Sequence, residues 1–308
     1  MRVLVSGNLG YIGPVLVRRL RSAGHYVIGV DTGWYVHDYA GEPVWPHEQH
    51  FADIRHPRDS WYRDVDAAVH LAGLSNDPMS ELDPELTEEI NVGGTLGALL
   101  DGGGRNVIVS SCSVYGATDE VATEESRPNP LTPYAKAKAA VDAYVHEGRW
   151  FRGNAVSLRL GTVYGYSPGH RLDLVVNRMA YDAVTKGYVS ATGNAWRPLV
   201  HVEDVASAIL FMLDQPWTGV YNVVGENAQM MPLGKMVADF AGVPLVKTPN
   251  AGDARDYRAS GDKLRALGWE PRHTVNGSLP VLFEHTLALP PGRTYSRLPI
   301  ARKHLEAA

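Results

Sequence analysis

Cysteine is almost missing from this chain: Cys112 is the single one in 308 residues. A lone thiol cannot close an internal disulfide, and 12 scattered histidines with no second cysteine give no zinc-ligand spacing, so no metal is expected. That usage suits a reducing, cytoplasmic setting. Long uncharged apolar runs are missing too, so no membrane span is expected. Met1-Arg2 leads straight into Val3-Leu4-Val5 and a glycine turn, without the apolar stretch and small-residue cleavage site of a leader. Basic tracts are also missing. Lys and Arg number 29 against 34 Asp and Glu, a net charge of −5, which argues against nucleic acid as a partner. At roughly 150 residues per domain, the length allows one large or two closely joined domains.

Apolar runs and helix-period segments alternate through the first half, predicting an α/β fold with a Rossmann-type, doubly wound parallel sheet. Strands are expected at 2–6, 26–30, 66–70, 106–110 and 155–160, with helices at 11–23, 84–100 and 133–151 between them. The Trp-, Tyr-, His- and Pro-rich stretch from 32 to 60 carries little pattern, and little is assigned there. Past Gly165 the rhythm loosens. Helices are expected near 172–186, 202–213, 232–241 and 277–288, with a strand at 220–223. This predicts a dinucleotide-binding domain over 1–165, to which 198–224 returns. A smaller α/β substrate lobe spans 166–197 and 225–291, followed by a tail at 292–308.

After the first strand comes Gly7-Asn8-Leu9-Gly10-Tyr11-Ile12-Gly13, opening a helix. Glycine permits positive φ, lets backbone N–H groups approach a pyrophosphate and lets the helix pack closely on the strand, while the helix N-terminus adds partial positive charge. The spacing is G-x-x-G-x-x-G rather than the commoner G-x-G-x-x-G, so context has to carry the reading. Asp31 supplies that context. It ends the second strand, where a carboxylate can accept hydrogen bonds from ribose hydroxyls, and Thr32-Gly33-Trp34 after it offer no cation for a 2′-phosphate. NAD is therefore expected over NADP, with Asp53-Ile54 placed to meet the adenine edge.

Tyr134 and Lys138, four apart on a helix opened by Pro133, project from one face, and Lys136 lies off it. An adjacent ammonium and an oxidised nicotinamide both favour phenolate; lowering the phenol by about three pKa units needs about 4 kcal/mol. Tyr134 could then take a proton from a sugar hydroxyl while hydride leaves the same carbon. Taken singly, a Tyr and a Lys at this spacing are ordinary helix surface. The strand before them, however, ends in Ser110-Ser111-Cys112-Ser113-Val114-Tyr115-Gly116, at the carboxyl end where ligands of open α/β sheets sit.

With these motifs, and with His70-Leu71-Ala72-Gly73, Asn91, Gly94-Thr95, Arg159 through Gly165 and Arg197 through Asp204, the chain resembles the extended short-chain dehydrogenases/reductases across nearly its whole length. Within them it is similar to the NAD-dependent sugar-nucleotide epimerase/dehydratase family, in its galactose 4-epimerase-like form. The resemblance implies Ser111, Tyr134 and Lys138 as catalytic residues, Ser111 lying five before Gly116 in the family's S/T-x-x-V-Y-G pattern. It implies Gly7, Gly10, Tyr11, Ile12, Gly13, Asp31, Asp53, Ile54, Leu71, Ala72, Gly73 and Asn91 at the cofactor, together with Tyr134 and Lys138. Asn177, Arg197 and, more weakly, Arg255 are implied at a nucleotide diphosphate. Thr162 replaces the family's frequent Asn, and Ser75 replaces a Lys found in galactose epimerases. Cys112 and Ser113 stand where the 4,6-dehydratases carry Asp and Glu. They are carried as sugar-facing positions, with a small buried filler the preferred reading of Cys112.

The expected function is thus an NAD-dependent epimerase acting on a nucleotide sugar through a transient keto-sugar. The alternative is a ketoreductase or dehydrogenase using the same three residues. A 4,6-dehydratase and a non-catalytic NAD-binding protein are set lower, the first by the missing acids and the second by the complete Ser/Tyr/Lys set. The resemblance also implies a homodimer paired through helices 84–100 and 133–151, which are rich in Gly93, Gly94, Gly97 and several alanines.

Overall fold

Val3, Leu4 and Val5 are all buried although successive side chains of the strand Arg2–Ser6 point to opposite faces, so both faces of that strand are covered. The computed structural model describes residues 1–101, 104–147, 154–248 and 255–289, together with Pro299 and Arg302. Arg2–Ser6 joins Tyr26–Asp31, Glu48–Phe51, Ala67–His70, Arg105–Ser111, Ala155–Leu160 and Gly219–Val223 in one seven-stranded sheet, every neighbouring pair parallel. The first strand lies between the second and the fourth, with Val3 opposite Val27 on one side and Ala67 on the other. This is the Rossmann-type doubly wound sheet that the alternation predicts, and its order reverses at the first strand, where a crevice opens beyond the carboxyl ends.

Helix Gly13–Ser22 starts on Pro14, whose fixed φ suits a first turn, and buries Val15, Leu16, Val17 and Leu20. Its outward Arg18 and Arg19 both pair with Glu203 on helix Val202–Leu213, which packs alongside it. Apolar residues of both helices meet Val69, Val107, Val156 and Leu158 from the sheet in the largest core cluster. A second core joins helices Val175–Lys186, Met230–Ala241 and Val275–Leu287 below the crevice's other wall. That wall is a three-stranded sheet of Thr162–Tyr164, Trp196–His201 and Glu226–Gln229.

Several expected elements are corrected. The strand Glu48–Phe51 falls where nothing was assigned, because it is a half-buried edge strand of sequence EQHF without an apolar run. The helix expected over 84–100 is three pieces: Pro84–Glu88, a wider π turn Glu89–Gly94 and Thr95–Asp101. Asn91, in the π turn, points inward to hold both backbone groups of Leu74, at 2.8 and 3.0 Å. Ala117–Ala122 pairs with Asp256–Ala259 as a short parallel ladder, hidden in the sequence because most of the first strand faces solvent. The third long helix is described over Pro133–Glu147, and the positions expected to extend it lie outside the described residues, as does the tail apart from Pro299 and Arg302.

Candidate active site

The turn after the first strand depends on its glycines. Gly7 has φ +76°, its N–H bonds Val30 at 2.8 Å, and a Cβ there would stand 2.5 Å from the backbone nitrogen of Ala72. Asp31 closes this loop from the neighbouring strand, its carboxylate accepting from the N–H of Leu9 at 3.0 Å and of Gly33 at 2.8 Å. Asp53 lines the crevice further along. Burial opposes its charge, yet hydrogen bonds from the side chain and backbone of Arg55 outweigh that and hold its carboxyl below the usual range. Tyr11 ties the loop to the far wall, donating to the Gly165 carbonyl at 2.6 Å and accepting from Asn177 at 3.2 Å.

Ser111, at the end of the strand Arg105–Ser111, and Tyr134, on the first turn of helix Pro133–Glu147, both line the crevice, and the Ser111 hydroxyl lies close enough to the phenol to favour its ionised form. Thr132 fixes that helix start by accepting from the Ala135 N–H at 3.2 Å. Burial pushes the Tyr134 phenol up to about 12, with the Asp77 charge adding to it and the Ser111 hydroxyl opposing. Lys138 lies on the same face as Tyr134 and lines the crevice with it. Its Nζ donates to the Val109 carbonyl at 2.7 Å and lies 5.8 Å from the Tyr134 ring centroid. Burial also lowers Lys138 to about 8, opposed by the Asp142 carboxylate. Burial therefore favours the neutral phenol, against which the ammonium and an oxidised nicotinamide have to work.

Beyond Tyr134 the crevice, about 430 Å³, is walled by alternating charges. Arg171 forks onto Asp173 at 2.6 Å and reaches the hydroxyl and carbonyl of Ser75, both at 3.0 Å. Asp77 is paired with Arg255 and accepts from Thr132. Arg197 donates to the Arg255 carbonyl at 2.6 Å and lies over the Tyr257 ring. Ser110 and Ser113 also line the space, and their buried hydroxyls lack a partner among the described residues.

The profile of the NAD dependent epimerase/dehydratase family matches residues 3–224. The chain belongs to that family. A GDP-6-deoxy-D-mannose reductase of Pseudomonas aeruginosa is 30% identical to it over 90% of this chain and 94% of that protein. A UDP-glucose 4-epimerase of Mycolicibacterium smegmatis is 29% identical over 88% and 94% respectively. Among solved structures, the UDP-glucose 4-epimerase of Thermus thermophilus in complex with NAD superposes with a TM-score of 0.77. Identity there is 28%, over 93% of this chain and 99% of that one. As a member of this family the protein is an NAD-dependent enzyme of the extended short-chain dehydrogenase/reductase type. The residues fit the cofactor: a left-handed glycine that leaves the loop backbone bare, a strand-end carboxylate beside it and two buried serine hydroxyls still open to hydrogen bonding.

Most positions that the sequence singles out line this crevice, from Gly7, Asp31 and Gly73 to Tyr134, Thr162, Arg197 and Arg255. Four do not. Gly13 lies beneath the loop, where a Cβ would stand 2.2 Å from the Asn8 carbonyl oxygen. Asn91 is the buried clamp on Leu74. Asn177, expected at a diphosphate, is fully buried and spends its amide on Gly165, Tyr11 and Arg171. Cys112 is likewise buried, its thiol aimed at the Arg159 carbonyl and pushed up by burial, so the small-filler reading replaces a sugar contact. The family's sequence reading misses Arg171, Asp173, Trp34 and Tyr35, all on the crevice wall. Arg171 sits in an irregular loop with no motif around it. Only its charge beside Asp173 hints at a role.

His70, at the end of the fourth strand, is 3% exposed, and its ring Nε2 lies 3.0 Å from Asn106 Oδ1. Asn106 donates its amide to the Gly104 carbonyl, which turns its oxygen to the ring, so Nε2 carries the proton. Burial, with the Lys138 charge adding, depresses His70 to about 4; burial and His273 do the same to His201. Both bind fewer protons folded than unfolded. Their contribution is complete above pH 6.5 and is lost as the pH falls towards 4. Chemical unfolding at pH 7 and pH 5 should therefore differ by about 2 kcal/mol for each histidine. His70→Gln, which keeps a donor for Asn106, should remove its share; an unchanged difference would refute the assignment.

Proposed function

We propose that this enzyme is an epimerase of nucleotide sugars working by transient oxidation. The observation that carries the reading is the convergence of Ser111, Tyr134 and Lys138 on one crevice, with no acid at positions 112 and 113. NAD, when bound, supplies a hydride acceptor and, once reduced, a hydride donor. The chain's own residues do the rest. The Tyr134 side chain, as phenolate, takes the proton of a sugar hydroxyl and later returns it, while Ser111, beside it on the same wall, donates to the same sugar oxygen. The Lys138 ammonium offsets the charge that Tyr134 acquires. Asp31 receives ribose hydroxyls, and Arg197 with Arg255 faces the diphosphate, a guanidinium being able to grip phosphate through paired donors. In this reading the seven-stranded layer is the dinucleotide-binding part, and the 166–197 and 225–291 segments form the substrate lobe.

A second reading, a keto-sugar reductase, is favoured by the 30% identity to a GDP-6-deoxy-D-mannose reductase. The two separate on cofactor balance. Purified protein is incubated with a panel of UDP-, dTDP-, GDP- and CDP-sugars and a trace of NAD, and in parallel with the corresponding keto-sugars and an excess of NADH, and products are followed by proton NMR with absorbance at 340 nm. Stereochemical inversion without net absorbance change supports the epimerase. Conversion that consumes NADH in equal amount with product transfers the assignment to the reductase.

Pairing of two copies through the 84–101 and 133–147 helices belongs to the same proposal. The outward face of the second helix carries Tyr144, 39% exposed. Light scattering is expected to give a dimer, and a single species of 33.6 kDa would rule it out. No helix among the described residues is long and apolar enough to cross a membrane.

A further inference from the structure

Tyr134, Lys138 and Asp142 recur at every fourth residue of helix Pro133–Glu147, so all three share one stripe. Asp142 does not reach the crevice. It is 2% exposed, and its carboxylate accepts from Ser157 Oγ at 2.5 Å and Arg159 Nε at 2.7 Å, both on the strand Ala155–Leu160 behind the helix. Arg159 reaches on to the Tyr115 hydroxyl at 2.9 Å, which donates to Asn222 at 2.8 Å. Asp142 is thus ion-paired to Arg159, one helical turn along the same stripe from Lys138, whose charge its carboxylate favours.

We propose that Asp142 is a positioning residue whose carboxylate, held by Arg159 and Ser157, sets the proton affinity of the Tyr134–Lys138 pair. The proposal rests on reading that pair as the proton-handling group of the site. A carboxylate one turn beyond Lys138 makes the ammonium harder to deprotonate and the phenolate harder to form, and Arg159 limits both effects by neutralising that carboxylate. Other groups face the pair as well. Asp77, held by Arg255 and Thr132, and Arg171, held by Asp173, face the phenol, as does the Ser111 hydroxyl. Neutral His70 stands near Lys138, whose Nζ is committed to Val109. Among the described residues, Asp142 is the carboxylate that acts on both members. Without it Lys138 would lose the carboxylate that favours its charge while the Arg159 cation stayed, and the pair as a unit would give up its proton at lower pH.

The test is made on NAD-loaded protein carrying lysine labelled with 13C at the ε position. The chain has 7 lysines, and the Lys138 resonance is assigned by its loss in Lys138→Arg. In Asp142→Asn the Lys138 midpoint should fall by about one pH unit or more, a tenfold change in proton affinity. Arg159→Gln, which leaves the carboxylate unneutralised, should raise it, and Asp142→Glu should restore it. Ser157→Ala keeps every charge and strips the carboxylate of one neutral donor. It should raise the midpoint by a few tenths of a unit even if the two charge variants fail to fold. A folded Asp142→Asn protein with an unmoved or higher midpoint overturns the proposal, as does an unmoved midpoint in Ser157→Ala. A lowered thermal midpoint alone would mark a structural role. Failure of the underlying reading shows separately, as retained turnover in Tyr134→Phe.

Discussion

Tyr134→Phe should leave a folded protein that still binds NAD but interconverts sugars about a thousandfold more slowly, the middle of the range for loss of a general acid–base group. The size follows from what else the crevice offers. Arg171 cannot lose a proton under ordinary conditions, Asp173 and Asp77 are each committed to an arginine, and the Lys138 ammonium is spent on the Val109 carbonyl. The phenol is left as the group able to exchange a proton with a sugar hydroxyl. Its resting neutrality carries a pH signature. Burial pushes it up to about 12, so oxidation of the sugar should quicken as the pH rises through neutrality, until the pair has given up its proton. Single-turnover formation of NADH, read at 340 nm from pH 6 to 9, checks both parts. A variant retaining more than a tenth of the wild-type rate would remove Tyr134 from the chemistry, and a flat pH profile would remove the proton transfer from the slow step.

Which parts of this were legible beforehand follows from the range of the interactions involved. The first strand reads as buried because Val3, Leu4 and Val5 carry the pattern themselves, and Tyr134 with Lys138 reads as one face because helical spacing is local. The Lys138 hydrogen bond was not legible, since its acceptor is a backbone carbonyl 29 residues away and any sequence supplies carbonyls. Nor was Asn177. Its residue type suits a phosphate contact, and only the tertiary structure shows that Tyr11, Gly165 and Arg171 already use its amide. The 32–60 stretch hid the most. It carries the edge strand Glu48–Phe51 and sends Trp34 and Tyr35 to the crevice, yet has neither period two nor period 3.6 for any length. A strap that crosses a site packs on both sides at irregular intervals: Tyr39 donates to the Leu9 carbonyl, and the Ala40 N–H donates to Pro168.

Gly7→Ala should weaken NAD binding about a hundredfold, a loss of about 2.7 kcal/mol, and lower the thermal midpoint by several degrees. Two separate costs meet at this position. The backbone is left-handed, which costs an alanine about 1–2 kcal/mol. The new Cβ would also stand 2.5 Å from the Ala72 nitrogen and 2.8 Å from its Cα, backbone atoms that cannot rotate away, and such overpacking costs about 1–3 kcal/mol. Relief requires the ends of the first and fourth strands to separate, and those two ends flank the point where strand order reverses and the crevice opens. Gly24→Ala isolates the first cost. It has φ +81° with nothing within 4 Å of the added carbon and lies at the opposite end of the following helix. It should cost about 1–2 kcal/mol of stability and leave NAD affinity unchanged. Calorimetric titration of NAD into both variants, with thermal unfolding of each, separates the two effects. If Gly7→Ala binds NAD as tightly as Gly24→Ala does, the contact with Ala72 does not shape the dinucleotide site.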